Sequence, residues 1–164
     1  MDADTDSVEW MRRHWVEQGQ PAPEHFAAMA AVLRTHQAVV GAMDKQLRAS
    51  DLSRTAYLLM TTLQMSRDRT RPLGQLSKHL IVHPTTITLV IDQLEKRGLV
   101  TRTPHPTDRR TVLATLTADG VAAVEKASAA LADVGFGLGG VSPQMAITMT
   151  EILRQVREQV GDIA

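Results

Sequence analysis

The side chains with the most usable chemistry form one short run: His83, then Thr85, Thr86, Thr88 and Leu89, with Lys96 two helical turns further on. Three threonines and a leucine in a turn and a half are small enough to enter the major groove of a duplex. Hydroxyls can bond base edges or phosphates, and Leu89 or a threonine methyl can touch a thymine methyl. A second run reads His105-Pro106-Thr107-Asp108-Arg109-Arg110. Arginines at the tip of a hairpin suit a narrow minor groove, where the negative potential is deepest. Asp108 is placed to orient the neighbouring guanidinium through a bidentate contact. Each run taken alone is also what an ordinary solvated surface carries.

Positioning these groups requires a helix, a turn before it and a hairpin behind it. Pro84 suits a first helical position, where a missing N–H costs nothing. Ile87, Val90, Ile91 and Leu94 recur at i, i+3, i+4 and i+7, so the spacing predicts a helix from Pro84 to Arg97 with that stripe buried. The opposite face carries Thr85, Thr88, Leu89, Asp92 and Lys96, with Thr86 at its margin. A shorter helix, Gly74 to Leu80, precedes it across a break at Ile81-Val82-His83. Two β-branched runs, 99–103 and 111–117, flank the basic tip. The expected fold is mainly α: a winged helix-turn-helix with a small antiparallel β-hairpin wing and a helical dimerisation region. Divided along the chain, this predicts an N-terminal arm and dimerisation helix over 1–50, a DNA-binding module over 51–117 and C-terminal dimerisation helices over 118–164.

These residues also resemble a known family. Gln75-Leu76-Ser77, His83-Pro84-Thr85-Thr86-Ile87-Thr88, Leu94-Glu95-Lys96-Arg97-Gly98-Leu99-Val100, Asp108-Arg109-Arg110 and Leu116-Thr117-Ala118-Asp119-Gly120 form a collinear block similar to the MarR family of transcriptional regulators. With the flanking helices, the likeness extends over about residues 26–164. It implies a homodimer that binds a pseudo-palindromic operator in double-stranded DNA, represses, and is released by a small-molecule effector. With no cysteine, the chain departs from the family's peroxide-sensing branch, whose switch is a thiol. An extra N-terminal helix bearing tryptophan is similar to the urate-responsive branch. Leu58 and Leu89 stand where that branch has a carboxylate and an arginine, which argues against carrying urate over.

Composition agrees with a helical DNA binder. The 164 residues are 43% hydrophobic but only 3% aromatic, and the formal net charge is zero. That zero is unevenly made. Residues 66–110 hold nine Lys/Arg against four acids (+5), residues 1–65 six against eight (−2), and residues 111–164 three against six (−3). Basic charge concentrated on the proposed DNA module favours phosphate binding there and limits sticking elsewhere. The chain lacks the glycine-rich phosphate loops, nucleophile elbows and His-Glu-x-x-His pattern of common enzyme classes, so neither catalysis nor a cofactor is expected. Its six histidines are scattered; His79 and His83 are four apart but straddle the turn, and no metal site is assigned. No apolar run is long enough to span a membrane, and the acidic N-terminus is unlike a signal peptide, so the expected location is cytoplasmic. The competing classes are a helical protein-interaction adaptor and a metal-responsive regulator.

Outside the module, residues 1–7 are acidic and expected to stay disordered. Val8, Met11 and Trp15 stripe a short helix that should dock on the dimer body, ended by Gly19, Pro21 and Pro23. A long helix runs from Phe26 to Leu47, and another from Ser53 to Met65. Ser66 to Pro72 reads as a basic loop. The last helix, from Ser142-Pro143, carries Met145, Met149, Ile152, Leu153, Val156, Val160 and Ile163 on a single face. Such stripes exceed what one small module can cover, and a second copy is the simplest cover. Trp10, Trp15, His36 and Tyr57 are the expected lining of an effector pocket, chosen for aromatic surface or polarity.

Overall fold

The computed structural model describes residues 6–108 and 110–163. Among them the order is α1 (Ser7–Glu17), α2 (Pro23–Leu47), α3 (Arg54–Gln64), β1 (Thr70–Pro72), α4 (Leu73–Leu80), α5 (Pro84–Lys96), β2 (Val100–Pro104), β3 (Val112–Leu116), α6 (Ala118–Ala132) and α7 (Pro143–Gln159). The winged helix-turn-helix is present. Most of the expected disordered N-terminus lies outside the described residues, but Asp6 and Ser7 do not fit that expectation. The Asp6 carboxylate accepts the Val8 N–H, and α1 begins at Ser7.

The wing is broader than a hairpin. β3 pairs antiparallel with β2 in register Thr101↔Thr115, and on its other edge with β1 in register Thr70↔Thr115. The stretch read as a basic loop therefore ends in a strand. A three-residue strand containing proline has no sequence signature of its own. It is stabilised by its partner: Thr70 and Thr115 share a hydroxyl hydrogen bond of 2.8 Å, and Arg71 Nε donates to Ser66 Oγ at 2.6 Å.

One core holds the module together. Leu47, Leu59, Met60, Leu63, Leu76, Ile87, Ile91, Leu94, Val100, Val124 and Leu131 are all essentially inaccessible. At about 1.5–3 kcal/mol per buried aliphatic side chain, this packing is the main force fixing α5 against α3, α4 and the sheet. The periodic stripe of α5, Ile87, Val90, Ile91 and Leu94, is buried as its spacing predicts. The turn before α5 is tied by Ser77, whose hydroxyl donates to the Val82 carbonyl at 2.7 Å.

That turn carries strain. Ile81 ends α4 with φ +52°, a left-handed conformation that a β-branched residue seldom adopts, and its side chain is 80% exposed. Left-handed backbone costs an L-residue roughly 1–2 kcal/mol, and glycine's greater unfolded entropy returns about half of that. Ile81→Gly should therefore raise stability by about 0.5–1 kcal/mol in urea titration, because no burial is lost. A destabilised variant would mean that the isoleucine side chain has a packing role.

Helices α1, α2 and α7 are poorly covered. No residue of α1 or α7 is buried, and only Ala30 and Leu47 of α2 are. Met29, Val32 and Leu33 of α2, Met145, Ile152 and Val156 of α7, and Val160 at its C-terminal cap expose much of their surface. No helix of the described residues is long and apolar enough to cross a membrane.

Candidate nucleic-acid interface

Burial of the apolar stripe turns the other face of α5 outward. Thr85, Thr86, Thr88, Leu89, Gln93 and Lys96 are exposed. His83 caps the helix, its Nδ1 accepting the Thr85 N–H at 3.3 Å, so the remaining ring nitrogen is left at the helix entrance. Thr88 Oγ1 donates to the Pro84 carbonyl at 3.1 Å, which occupies its proton within the helix. The structure thus brings His83, Thr85, Thr86, Thr88 and Leu89 onto one surface. Lys96 stands apart from them. It lies about 18 Å along the axis from Pro84 at 1.5 Å per residue, beside Arg97 and Arg48.

Asp92 is not on the open face. It is half-buried and paired with Arg102 of β2, its Oδ1 2.6 Å from Nη1. The same guanidinium meets Glu95 Oε2 at 2.5 Å through Nη2 and 2.9 Å through Nε, while the Arg102 N–H donates to Glu95 Oε1 at 3.1 Å. Sequence reasoning missed this clamp, which joins the helix to the wing. Alternation in β2 predicts which side Arg102 takes, but not that two acids one turn apart on α5 meet it.

The Arg102 guanidinium holds the Glu95 carboxyl below its ordinary 4.5, with some opposition from burial and from Asp92. A carboxylate whose folded pKa is lowered contributes stability above its unfolded pKa and loses it as pH falls through the folded value. The wing contact should therefore weaken progressively below about pH 4.5. Exchange of the β2 amides should speed up in that range, and Glu95→Gln should remove this pH dependence. If the variant shows the same profile, Glu95 is not the titrating group.

At the wing tip Asp108 makes two contacts that the sequence reading did not foresee. Its Oδ1 accepts the Arg110 backbone N–H at 3.0 Å and its Oδ2 the Thr111 hydroxyl at 2.6 Å. The Thr111 hydrogen bond, then the Arg110 amide, lowers the carboxyl pKa. Both oxygens thus close the turn instead of gripping the Arg110 guanidinium, because the Arg110 N–H and the short Thr111 hydroxyl, two and three residues on, lie nearer than a flexible guanidinium. Arg110 is exposed, whereas Arg109 lies outside the described residues.

The expected effector pocket is not assembled from its four residues. Trp15 stacks on Phe26 at 3.9 Å between ring centres, and its Nε1 donates to the Pro21 carbonyl at 2.8 Å. Trp10 lies against His14, and together these rings line a small cleft of about 190 Å³. Tyr57 is only 4% exposed and hydrogen-bonds Ser128 of α6 at 3.0 Å, so it is a strut of the core. His36 lines a separate apolar groove of about 440 Å³ with Val32, Val39, Met149 and Leu153, between α2 and α7. The four side chains thus meet different partners: Trp10 stays on α1, Trp15 crosses to α2, Tyr57 reaches α6 and His36 faces α7. No group of three or more potential metal-ligating residues occurs among the described residues.

Comparison with known proteins agrees with this geometry. The model of the MarR family matches residues 52–112, the span from α3 to the wing. The structure superposes on Sco5413 of Streptomyces coelicolor, a MarR family transcriptional regulator, with a TM-score of 0.77 and 30% identity, covering 85% of this chain and 97% of that one. The chain belongs to the MarR family. Among curated relatives, the HTH-type transcriptional regulator YhbI of Bacillus subtilis is 37% identical over 56% of this chain, which spans 58% of YhbI's length. CouR of Rhodococcus jostii RHA1, whose structure holds p-coumaroyl-CoA, aligns with a TM-score of 0.67 and 26% identity over 77% of this chain and 88% of CouR. Members of the MarR family are transcriptional regulators, not enzymes, and this chain is a transcriptional regulator of that family.

Proposed function

We propose that this MarR regulator is a cytoplasmic homodimeric repressor that binds a pseudo-palindromic operator and is released by a small aromatic or anionic effector. The observation carrying this reading is the outward Thr85–Leu89 surface of α5, held to the wing by Arg102. In a dimer, two such helices would enter successive major grooves about 34–36 Å apart on one DNA face. The wing arginines 109 and 110 would reach the flanking minor grooves. Binding of p-coumaroyl-CoA by CouR supports a small-molecule effector. An effector that alters the spacing of the two α5 helices by a few ångströms would misalign one of them, and coupling of about 1–3 kcal/mol is usual for such linkage.

The decisive experiment selects genomic fragments with the purified protein, then measures affinity on the selected duplex and on random DNA at several salt concentrations. Two protected half-sites about one helical turn apart are expected. Arg109→Ala and Arg110→Ala should each weaken binding by roughly 1–3 kcal/mol if they contact base edges in the minor groove. Failure to retain any fragment at low salt, with the protein folded, would favour the protein-interaction adaptor.

A further inference from the structure

We propose that α5 selects its operator through thymine C5-methyl groups, with Leu89 as the main contact and the Thr85 and Thr86 methyls beside it. This deepens the DNA-binding reading and rests on it. Bidentate recognition of guanine or adenine uses arginine, lysine, asparagine or glutamine. Pro84 to Asp92 contains none of these, and Gln93 is the first side chain of that kind on the helix. Asp92, which could accept from cytosine, is paired with Arg102. The Thr88 proton is directed to the Pro84 carbonyl, leaving a methyl and lone pairs toward solvent. The Thr85 and Thr86 hydroxyls can donate or accept, so they bond any base edge or a phosphate without discriminating strongly.

Apart from the one ring nitrogen that His83 leaves at the helix entrance, what remains over the first two turns is apolar. Leu89 is 58% exposed, and Thr85 and Thr86 lie four and three residues before it on the same side of the helix. The major-groove edge of a duplex carries one apolar substituent, the thymine methyl. An exposed isobutyl group flanked by two threonine methyls matches that group and offers nothing to a guanine edge. Discrimination then comes from burying methyls. Half-sites would be rich in thymine opposite the first two turns of α5.

The test uses the full-length protein and a duplex selected from a randomised library. Each thymine of the half-site is replaced by deoxyuridine, which removes the methyl and keeps every hydrogen-bonding group. At fixed salt, affinity should fall about fourfold at each contacted thymine, the transfer value of one carbon group. Leu89→Ala, at a site outside the core, should abolish the deoxyuridine effect at one position per half-site and leave the others. Deoxyuridine duplexes that bind as tightly as thymine duplexes would overturn methyl reading while leaving sequence-specific binding intact. Undiminished sensitivity in Leu89→Ala would overturn the assignment to Leu89. A protein that selects no sequence from the library would instead defeat the DNA-binding reading itself, and methyl reading with it.

Discussion

Aspartate at Ile152 and Val156 of α7 should leave the fold intact, convert the protein to a monomer and lower operator affinity at least a hundredfold. Both side chains are about half exposed in the single chain, so nothing in the core is disturbed. Met145, Met149, Ile152, Leu153 and Val156 nevertheless share one side of a helix with no buried residue, and Val160 caps it. Beside them, α2 exposes Met29, Val32 and Leu33. If a second copy covers this surface, two carboxylates placed within it must be desolvated without partners, at a cost of several kcal/mol. Separating the copies removes the gain from binding two half-sites at once, which is typically 10²–10⁴. Light scattering and a shift assay at one salt concentration measure both effects. A variant that remains dimeric, or a monomer that binds the operator as well as before, would show that this surface does not join the two DNA-reading units.

Gly120→Ala should destabilise the protein by about 3 kcal/mol, the upper part of the usual range for overpacking. Gly120 lies in the first turn of α6, where the Thr117 hydroxyl caps the helix by accepting the Gly120 N–H at 3.0 Å. A methyl group there would overlap the Leu99 carbonyl oxygen and come within 2.7 Å of Leu116 Cδ1. Neither neighbour can retreat easily. Leu99 leads into β2, and Leu116 ends β3 with its side chain in the core. The melting temperature should fall by about 6–12 °C, at 2–4 °C per kcal/mol for a chain of this size. Gly74→Ala makes the same chemical change in α4, where an added methyl meets nothing within 4 Å. It should be neutral or stabilising by up to about 1 kcal/mol. Equal losses from the two variants would mean that backbone freedom, not close approach, explains Gly120.

The two glycines show where sequence reading stops. Both stand in recognisable motif segments, and nothing local distinguishes them. Only the position of Leu99 and Leu116 makes one of them indispensable. Arg102 behaves similarly: its charge is plain in the sequence, but its partners Asp92 and Glu95 become visible only when β2 lies beside α5. The ligand-lining expectation for Trp10, Trp15, His36 and Tyr57 failed as a single pocket for the same reason. Aromatic or polar character does not tell which residues will meet.

From the sequence alone come the helix-turn-helix, the buried stripe Ile87-Val90-Ile91-Leu94 and the outward threonine face. Periodicity and capping are local, and a 3.6-residue repeat leaves one way to bury apolar groups. The wing's two longer strands follow from β-branched runs around a turn. Tertiary structure alone decided the third strand β1, the Arg102 clamp and the burial of Tyr57. Each depends on which distant group the folded chain brings within hydrogen-bonding or packing distance, and a linear pattern does not record those distances.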